Sequence, residues 1–387
     1  MAVVQTRVLA ALVATSVAWC VVGCRTETDA TSDESAKETT AQDDAATARA
    51  REVSSADSPT AAPSASTADP EDAPAEEDDP PLEMTFAAQR ARLYGVMRRQ
   101  LGLGDDVMSR VQAIFEASTL LGQGRPDDTT HPMTRTECRK IRREAKFVPG
   151  DARCGRPNMV PLFNPAKGET AADANVCIDQ YEFPNVPCEY PVTYASAFEA
   201  ASLCEAVGAR LCDAHEWEGG CAGALRPAAE DYFFGKPRPL ATLLHNQARE
   251  IRWAYGSTKD HSKCATMSKK SDRCDSSGMV HCGSNTYPTG AFPACVSPLG
   301  VYDQHGNAAE HMSLPLTPEE LGSRGGHGQT EMKGSWFIFG RATIQPHEDD
   351  CRWRAKDWHP SHVMEPGSHR NYHLGFRCCR DLAPKAD

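Results

Sequence analysis

The chain is 387 residues long, contains 16 cysteines and carries a formal net charge of −12 at pH 7. That charge has one origin: residues 25–82 hold 16 Asp and Glu against 4 Lys and Arg, a surplus equal to the whole net charge. The remainder lacks the basic surplus of a nucleic-acid-binding domain, so nucleic acid is excluded as a partner. The acidity belongs to one segment and does not mark a binding surface of the folded part.

Residues 1–23 have the pattern of a bacterial lipoprotein signal peptide. Arg7 precedes the apolar run 8–22, which is too short and wrongly flanked for a membrane-spanning helix. The run ends in Val-Val-Gly-Cys, which resembles a lipobox, so we expect Cys24 to be lipidated and to anchor the chain in a membrane of the cell envelope. Arg25 follows, in place of the Asp that commonly retains lipoproteins in the inner membrane, and the outer membrane is therefore the expected location. The alternative is an ordinary signal peptide in which Cys24 is fortuitous.

Two segments precede the main domain. Residues 24–82 contain no aromatic residue and cannot bury enough apolar surface to offset their ordering entropy, so they are predicted to form a disordered acidic tether. Residues 83–125 repeat apolar side chains at helical spacing twice, and each repeat is followed by a glycine, Gly102 and Gly122. They are predicted to form a short helical hairpin that packs on the main domain or guards its edge.

The cysteines indicate an oxidising compartment. Setting aside Cys20 and Cys24 leaves fourteen, an even number that allows seven disulfides. Cys378 and Cys379 are adjacent and are expected to bond to different partners, because neighbouring cysteines rarely bond each other without strain. Cys351 is likewise expected to be bridged. Zinc sites are the alternative, but the cysteines between 264 and 282 lack the CxxC spacing typical of zinc ligands.

Four blocks of the main domain, residues 138–382, carry a family resemblance. They are CIDQYEFPNVPCEYPV at 177–192, RLC with DAHEWEGGCAG at 210–223, SPLGVYDQHGNAAE at 297–310, and KGSWFIFGR at 333–341 with the closing LGFRCC at 374–379. In this order the blocks resemble the formylglycine-generating enzyme (sulfatase-modifying factor) family. The resemblance implies an α+β fold that is irregular, loop-rich and related to C-type lectin-like domains. Within the second block, Asp213 and Glu216 form the pattern of a helix-capping box.

The family's redox chemistry depends on two cysteines that this chain lacks. In the family, a reactive cysteine follows the serine of a GGS motif after two residues, and a second cysteine follows after four more. Counted from Ser335, these positions hold Ile338 and Thr343. Neither side chain supplies the thiolate that Cu(I) selects. We therefore expect no copper and no copper oxidase activity, and we assign no catalytic residue.

The third block implies one calcium ion. In the family, the GNxxE turn binds calcium through side-chain and main-chain oxygens, which suits the hard oxygen ligands and irregular geometry that calcium accepts. The matching positions here are Asp303, Gly306, Ala308 and Glu310. The alternative is that Glu310 only forms hydrogen bonds within the turn. Ala309 and His311 stand where the family has tryptophans, so the packing around the turn is expected to differ.

The segment around and after the missing cysteines is rich in histidine and aromatic residues. Its histidines are His347, His359, His362, His369 and His373. Imidazole suits iron, copper and zinc, but the spacing matches no helical pair such as HExxH, so surface or hydrogen-bonded histidines are the alternative. Aromatic side chains at this place are usually core, yet they can also form a shallow groove for a peptide or a sugar ring. The candidate groove residues are Trp336, Phe337, Phe339 and Arg341.

These patterns give two main functional hypotheses. The first is an envelope lipoprotein whose family domain binds a polypeptide or glycan and performs no copper oxidation. The second is a metal-dependent oxidoreductase of the same superfamily, of the formylglycine-generating or non-haem iron type, that works through the histidines or Cys351. A purely structural protein, whose groove is filled by its own side chains, is a third interpretation.

Overall fold

The structure is a computed structural model and describes residues 85–274, 279–322, 327–343, 345, 347–356 and 361–383. All of them belong to one compact unit, Ala73–Asp387. The expected signal peptide, Cys24, the acidic tether and His359 lie outside the described residues. Within these described ranges, no helix is both long enough and apolar enough to cross a membrane.

The described ranges contain seven α-helices and seven short strands joined by long loops, in agreement with the predicted α+β class. The helices are α1 (Phe86–Leu101), α2 (Asp105–Glu116), α3 (Arg135–Glu144), α4 (Ala197–Ala206), α5 (Ala214–Ala222), α6 (Ala228–Tyr232) and α7 (Arg238–Ala248). The strands are β1 (Met159–Leu162), β2 (Val176–Asp179), β3 (Arg210–Leu211), β4 (Ala309–Leu314), β5 (Gln329–Lys333), β6 (Leu374–Phe376) and β7 (Cys378–Asp381).

Helices α1 and α2 lie where the sequence predicts a hairpin, and both join the core of the main domain. The hydroxyl of Thr85 caps α1 by accepting from the amide of Ala88 at 3.1 Å, and Gly102 follows its last residue with a φ of 64°. The apolar positions of both helices are buried in a cluster that also includes α4 and the ring of Phe376. The two helices therefore contribute to the same core as the family domain.

Two capping boxes begin the central helices. Ser196 and Glu199 cap α4, and Asp213 and Glu216 cap α5, as the sequence predicts for the second pair. The amide of Asp213 donates to the carboxylate of Glu216 at 2.8 Å. All nine residues of α5 are buried, and the helix contacts strands of both sheets. Helix α5 is therefore the element against which the two sheets are assembled.

The strands form two sheets whose order is not that of the chain. The first sheet has the order β1-β2-β7-β3 with antiparallel pairing throughout. The second has the order β5-β4-β6, in which β4 pairs antiparallel with β5 and parallel with β6. The last strand, β7, thus lies inside the first sheet, and long-range pairing holds both sheets together.

All fourteen cysteines of the described residues form disulfides, as their even number predicts. Cys378 and Cys379 bond to Cys204 and Cys212, which confirms that the adjacent cysteines have different partners. Cys351 is bridged to Cys221, as expected. The other four bridges are Cys138–Cys188, Cys154–Cys177, Cys264–Cys295 and Cys274–Cys282.

A buried ionic cluster surrounds Glu218 of α5. Its carboxylate accepts from Lys333 Nζ at 3.0 Å and from Arg354 Nε and Nη2 at 2.8 and 3.2 Å. The side chains of all three residues are at most 2% exposed. Arg352 and Asp231 add a second buried pair at 3.2 Å. These charges compensate one another, as burial of ionised groups requires.

Candidate functional site

The two positions that hold cysteine in the family carry no sulfur here. Ile338 is partly buried at the start of the 3-10 turn Phe339–Arg341, and Thr343 is exposed. Cys351 could have replaced one lost thiol, but it is bonded to Cys221 with an S–S distance of 2.07 Å. In the part of the chain that the structure describes, every cysteine is disulfide-bonded. This part therefore offers no thiolate pair to a copper ion.

A pocket opens beside Trp336, between strands β4 and β5 and the segment that leads into β6. Its volume is about 210 Å³, below the roughly 300–1,000 Å³ of pockets for drug-sized ligands. Its walls include Trp336, His311, His347, His369, Asn371 and His373. Three of the five histidines noted in the sequence therefore converge here, whereas His362 does not line the pocket. His311 was not expected in this role, although its replacement of a family tryptophan was the available signal.

Of the four candidate groove residues, only Trp336 lines this pocket. Phe337 and Phe339 are 0% exposed and belong to the interior, and Arg341 is exposed outside the pocket walls. The ring of Trp336 stacks on His373 with 4.8 Å between centroids and meets the edge of Phe339 at 5.4 Å. The expected groove is thus a smaller pocket, because two of its four residues support Trp336 from the core side.

At least two of the pocket histidines are neutral at pH 7. Burial, together with the charges of the neighbouring His369 and Lys270, lowers the pKa of His373 to about 3. Burial also lowers the pKa of His347. A neutral imidazole offers one donor and one acceptor nitrogen. These neutral imidazoles can therefore form hydrogen bonds to a polar ligand in either direction.

The described residues contain three clusters of potential metal ligands, and none is at this pocket. The clusters are Cys221, His305 and Cys351; Cys212, Glu216 and Cys379; and Glu218, Asp231 and His245. The first two contain bridged cysteines, and the third contains the carboxylate of Glu218, which already binds Lys333 and Arg354. Among the described residues, the pocket histidines do not bring three ligand atoms within 4.8 Å of one another. Their arrangement favours hydrogen bonding over metal coordination.

Three of the expected calcium positions, Asp303, Gly306 and Ala308, lie in the buried turn that leads into β4, and Glu310 is the second residue of that strand. Asp303 Oδ2 accepts from the amide of Gly290 at 2.5 Å, and Asp303 Oδ1 is buried without a hydrogen-bond partner. The two oxygens of Glu310 accept from Arg377 at 2.6 and 2.7 Å, and one also accepts from Trp217 at 3.0 Å. The free oxygen of Asp303 fits a cation, whereas Glu310 would share its oxygens with Arg377.

Carboxyl groups crowd the same turn. Glu182 accepts from the amide of Ala308 at 2.7 Å and from the side chain of Asn307 at 2.6 Å. Burial, followed by the charges of Asp303 and Glu310, raises the pKa of Glu182 well above its ordinary value. Burial also raises the pKa of Asp303 to about 6. A calcium ion at Asp303 would offset this repulsion between carboxylates.

Comparison with known proteins agrees with the four sequence blocks. The family model described as Sulfatase-modifying factor enzyme 1-like domain (FGE-sulfatase) matches residues 166–382, more than half of the chain. No match was found among curated proteins. A solved structure described as Crystal Structure of CarF is similar to this chain at a TM-score of 0.32 and 14% sequence identity. The similarity covers 58% of this chain and 97% of that chain, and it is too low to support a conclusion about function. On the match over residues 166–382, the chain belongs to the sulfatase-modifying factor enzyme 1-like family.

Proposed function

We propose that this protein is a lipoprotein of the cell envelope, anchored through Cys24 in the outer membrane, whose family domain binds a polypeptide and performs no copper oxidation. The observation that carries the proposal is an open pocket in a domain that lacks sulfur at the family's two cysteine positions. Ile338 and Thr343 occupy those positions, and the pocket beside Trp336 is open. A concave pocket with apolar walls and a few convergent polar groups is the default place for a ligand.

A polypeptide fits this pocket better than a glycan does. Sugar rings are commonly bound by stacking on a free aromatic face, but the ring of Trp336 already stacks on His373 at 4.8 Å. The pocket combines apolar walls with neutral imidazoles, which suits a side chain with one polar end. Its volume of about 210 Å³ suits one inserted side chain and not a long oligosaccharide.

Replacing Trp336 with alanine is expected to weaken peptide binding at least tenfold, equivalent to about 1.4 kcal/mol. The substitution removes the largest wall of the pocket and the aromatic partner of His373. A library of short peptides, screened by the change in tryptophan fluorescence and followed by calorimetry on the selected sequences, measures the effect. A parallel array of oligosaccharides tests the glycan alternative with the same protein.

Arg341→Ala is the matched control, because Arg341 lies five residues away on the following turn, is exposed and does not line the pocket. Its peptide affinity should equal that of the wild type. If the protein bound glycans and no peptides, the proposed polypeptide ligand would be wrong and a glycan would take its place. Stoichiometric iron or copper in chelator-washed protein, with activity that depends on it, would favour the oxidoreductase alternative, for which the convergence of His311, His347, His369 and His373 is the relevant observation.

We also propose that one calcium ion binds at the turn before β4, with Asp303 as its principal side-chain ligand and Gly306, Ala308 and Glu310 as further oxygen donors. Calcium would supply positive charge and rigidity there, with no redox chemistry. At a calcium concentration 100 times the Kd, the expected gain in stability is about 2.7 kcal/mol. Thermal unfolding with calcium and with chelator measures it.

The calcium response should disappear in Asp303→Ala and persist in Glu348→Gln, which alters an exposed carboxylate elsewhere. Because each variant is compared with itself with and without calcium, a general loss of stability in Asp303→Ala does not obscure the result. An unchanged wild-type melting temperature across the calcium titration would show that Glu310 and Arg377 satisfy each other and that the ion is not needed.

A further inference from the structure

Arg156 has a buried guanidinium group with no hydrogen-bond partner. The residue lies just after the 3-10 turn Ala152–Cys154 and before β1, in a segment fixed by the Cys154–Cys177 disulfide. Its Nε, Nη1 and Nη2 atoms are all buried, and none of them bonds to any described residue. A guanidinium carries five N–H donors and stays charged at physiological pH. Burying such a group unpaired is costly, so an acceptor is expected nearby.

Asp179, a carboxyl group that interacts electrostatically with Arg156, does not supply that acceptor. Asp179 of β2 is fully buried; burial raises its pKa to about 6, and the charge of Arg156 opposes this rise. The two oxygens of Asp179 accept instead from Asn185 Nδ2 at 2.8 Å and from the amide of Cys378 at 3.1 Å. Asp179 is therefore close enough to act on Arg156 electrostatically, but its hydrogen bonds go to other groups.

A shallow cavity of about 540 Å³, wide open to solvent, lies beside Arg156 and is lined by the loop from Gly150 to Asn158. The acidic side chain in this wall, Asp151, is engaged by Arg153 at 2.5 and 2.9 Å and does not turn to Arg156. Because the guanidinium of Arg156 forms no hydrogen bond, turning it toward the cavity breaks none. The cavity therefore has room for a ligand that the guanidinium of Arg156 can reach.

Positive charge predominates at the cavity. The loop from Gly150 to Asn158 carries Arg153 and Arg156 against one carboxylate, Asp151. Arg380 of β7 adds a further cation at the same place, since its Nη1 donates to the carbonyl of Cys154 at 2.8 Å. Clustered positive charge raises the local concentration of anions and speeds their arrival.

We propose that the cavity beside Arg156 is a binding site for an oxyanion of the phosphate or carboxylate class, held by the Arg156 guanidinium. The planar fork of a guanidinium matches two oxygens of such a group and forms strong charge-assisted hydrogen bonds with them. The site lies on the sheet that contains β1 and β2, whereas the pocket beside Trp336 lies on the other sheet. Binding here is therefore independent of the proposed peptide pocket.

Inorganic phosphate is the first probe, compared with chloride at matched ionic strength by thermal unfolding of the whole protein. Phosphate should raise the wild-type melting temperature, and Arg156→Met should weaken the apparent phosphate affinity at least tenfold. In chloride, Arg156→Met should melt at or above the wild-type temperature, because it removes an unpaired buried charge. Lys146→Met removes one positive charge from an exposed side chain ten residues away that does not line the cavity, and it should keep the wild-type phosphate response.

A wild-type protein that does not respond to phosphate overturns the proposal, and so does an equal response in wild type and Arg156→Met. The latter would mean that the basic surface attracts anions without a defined site. The source of the anion is decided by sedimentation with vesicles of phosphatidylcholine, with and without phosphatidylglycerol. Binding to the anionic vesicles that is lost in Arg156→Met and displaced by phosphate assigns a lipid headgroup, whereas phosphate binding without vesicle binding assigns a soluble anion.

Discussion

Glu218→Leu is expected to lower the free energy of unfolding by about 3–5 kcal/mol. The substitution leaves Lys333 and Arg354 without their shared acceptor, and both side chains are almost completely buried. A buried charge that has lost its partner costs much more than the intact pair, because it is cut off from solvation by water. Urea denaturation of wild type and variant measures the difference, with an unchanged m-value as the check that both unfold in one step.

The control is Glu230→Leu, which breaks an exposed pair with Lys167 and should change stability by no more than about 0.5 kcal/mol. If Glu218→Leu is no more harmful than this control, the buried cluster does not stabilise the fold. A further control, Glu218→Gln, keeps the shape and the acceptor oxygen but removes the negative charge, so it separates the loss of charge from a change in packing.

The same carboxyl group is expected to make stability fall in acid. Burial alone would raise the pKa of Glu218, but Arg354 and Lys333 outweigh it and hold that pKa far below its ordinary value. A group with a depressed folded-state pKa contributes its full stability above its unfolded pKa of about 4.3, and this contribution is lost as the pH falls through the folded-state value. Between pH 5 and 2, the wild type should therefore lose more stability than Glu218→Gln does.

Replacing Cys204 and Cys378 together with alanine is expected to cost about 3 kcal/mol in chain entropy. This bridge spans 174 residues, but the adjacent Cys212–Cys379 bridge already closes most of that loop, so the bridge constrains only about ten further residues of the unfolded chain. Both cysteines are 0% exposed and belong to the main core, so the substitution also removes buried contacts. Changing both residues avoids an unpaired thiol. Urea denaturation without reductant measures the effect.

The Cys274–Cys282 bridge is the matched comparison, because it spans only 8 residues. By the same relation, its removal should cost about 2.5 kcal/mol, nearly the same chain-entropy contribution. A clearly larger loss for the Cys204 and Cys378 variant would therefore measure the buried contacts of that bridge, whereas an equal loss would show that chain entropy dominates in both.

Local patterns predicted local elements well. The apolar spacing before Gly102 located α1, and the Asp213 and Glu216 pair located the start of α5, because helix formation and capping depend on residues within one or two turns. The separate partners of Cys378 and Cys379 followed from covalent geometry alone. The identity of those partners could not be predicted in this way, because it depends on how strands that are far apart in the chain are arranged.

The pocket could be foreseen only in part. The sequence alone does not show whether an aromatic side chain is buried or lines a groove. Phe337 and Phe339 were therefore expected beside Trp336 in the groove, whereas they lie in the interior. The position of His311 depends on the parallel pairing of β4 with β6, which joins residues more than 60 positions apart. Similarly, the ion pair of Lys333 with Glu218 joins β5 to α5 and leaves no local pattern. Long-range contacts of this kind follow from the fold and not from spacing.

The place of β7 inside its sheet has a consequence for biogenesis. If the chain is exported from its N-terminus, Cys204 and Cys212 reach an oxidising environment 174 and 167 residues before their partners. During that interval they can bond to cysteines that arrive earlier, such as Cys177 and Cys188. Wrong pairs are corrected only by thiol exchange. Production of correctly paired protein should therefore depend on a disulfide isomerase in the host compartment. Pairing of Cys378 and Cys379, close to the C-terminus, would then be the last step of folding.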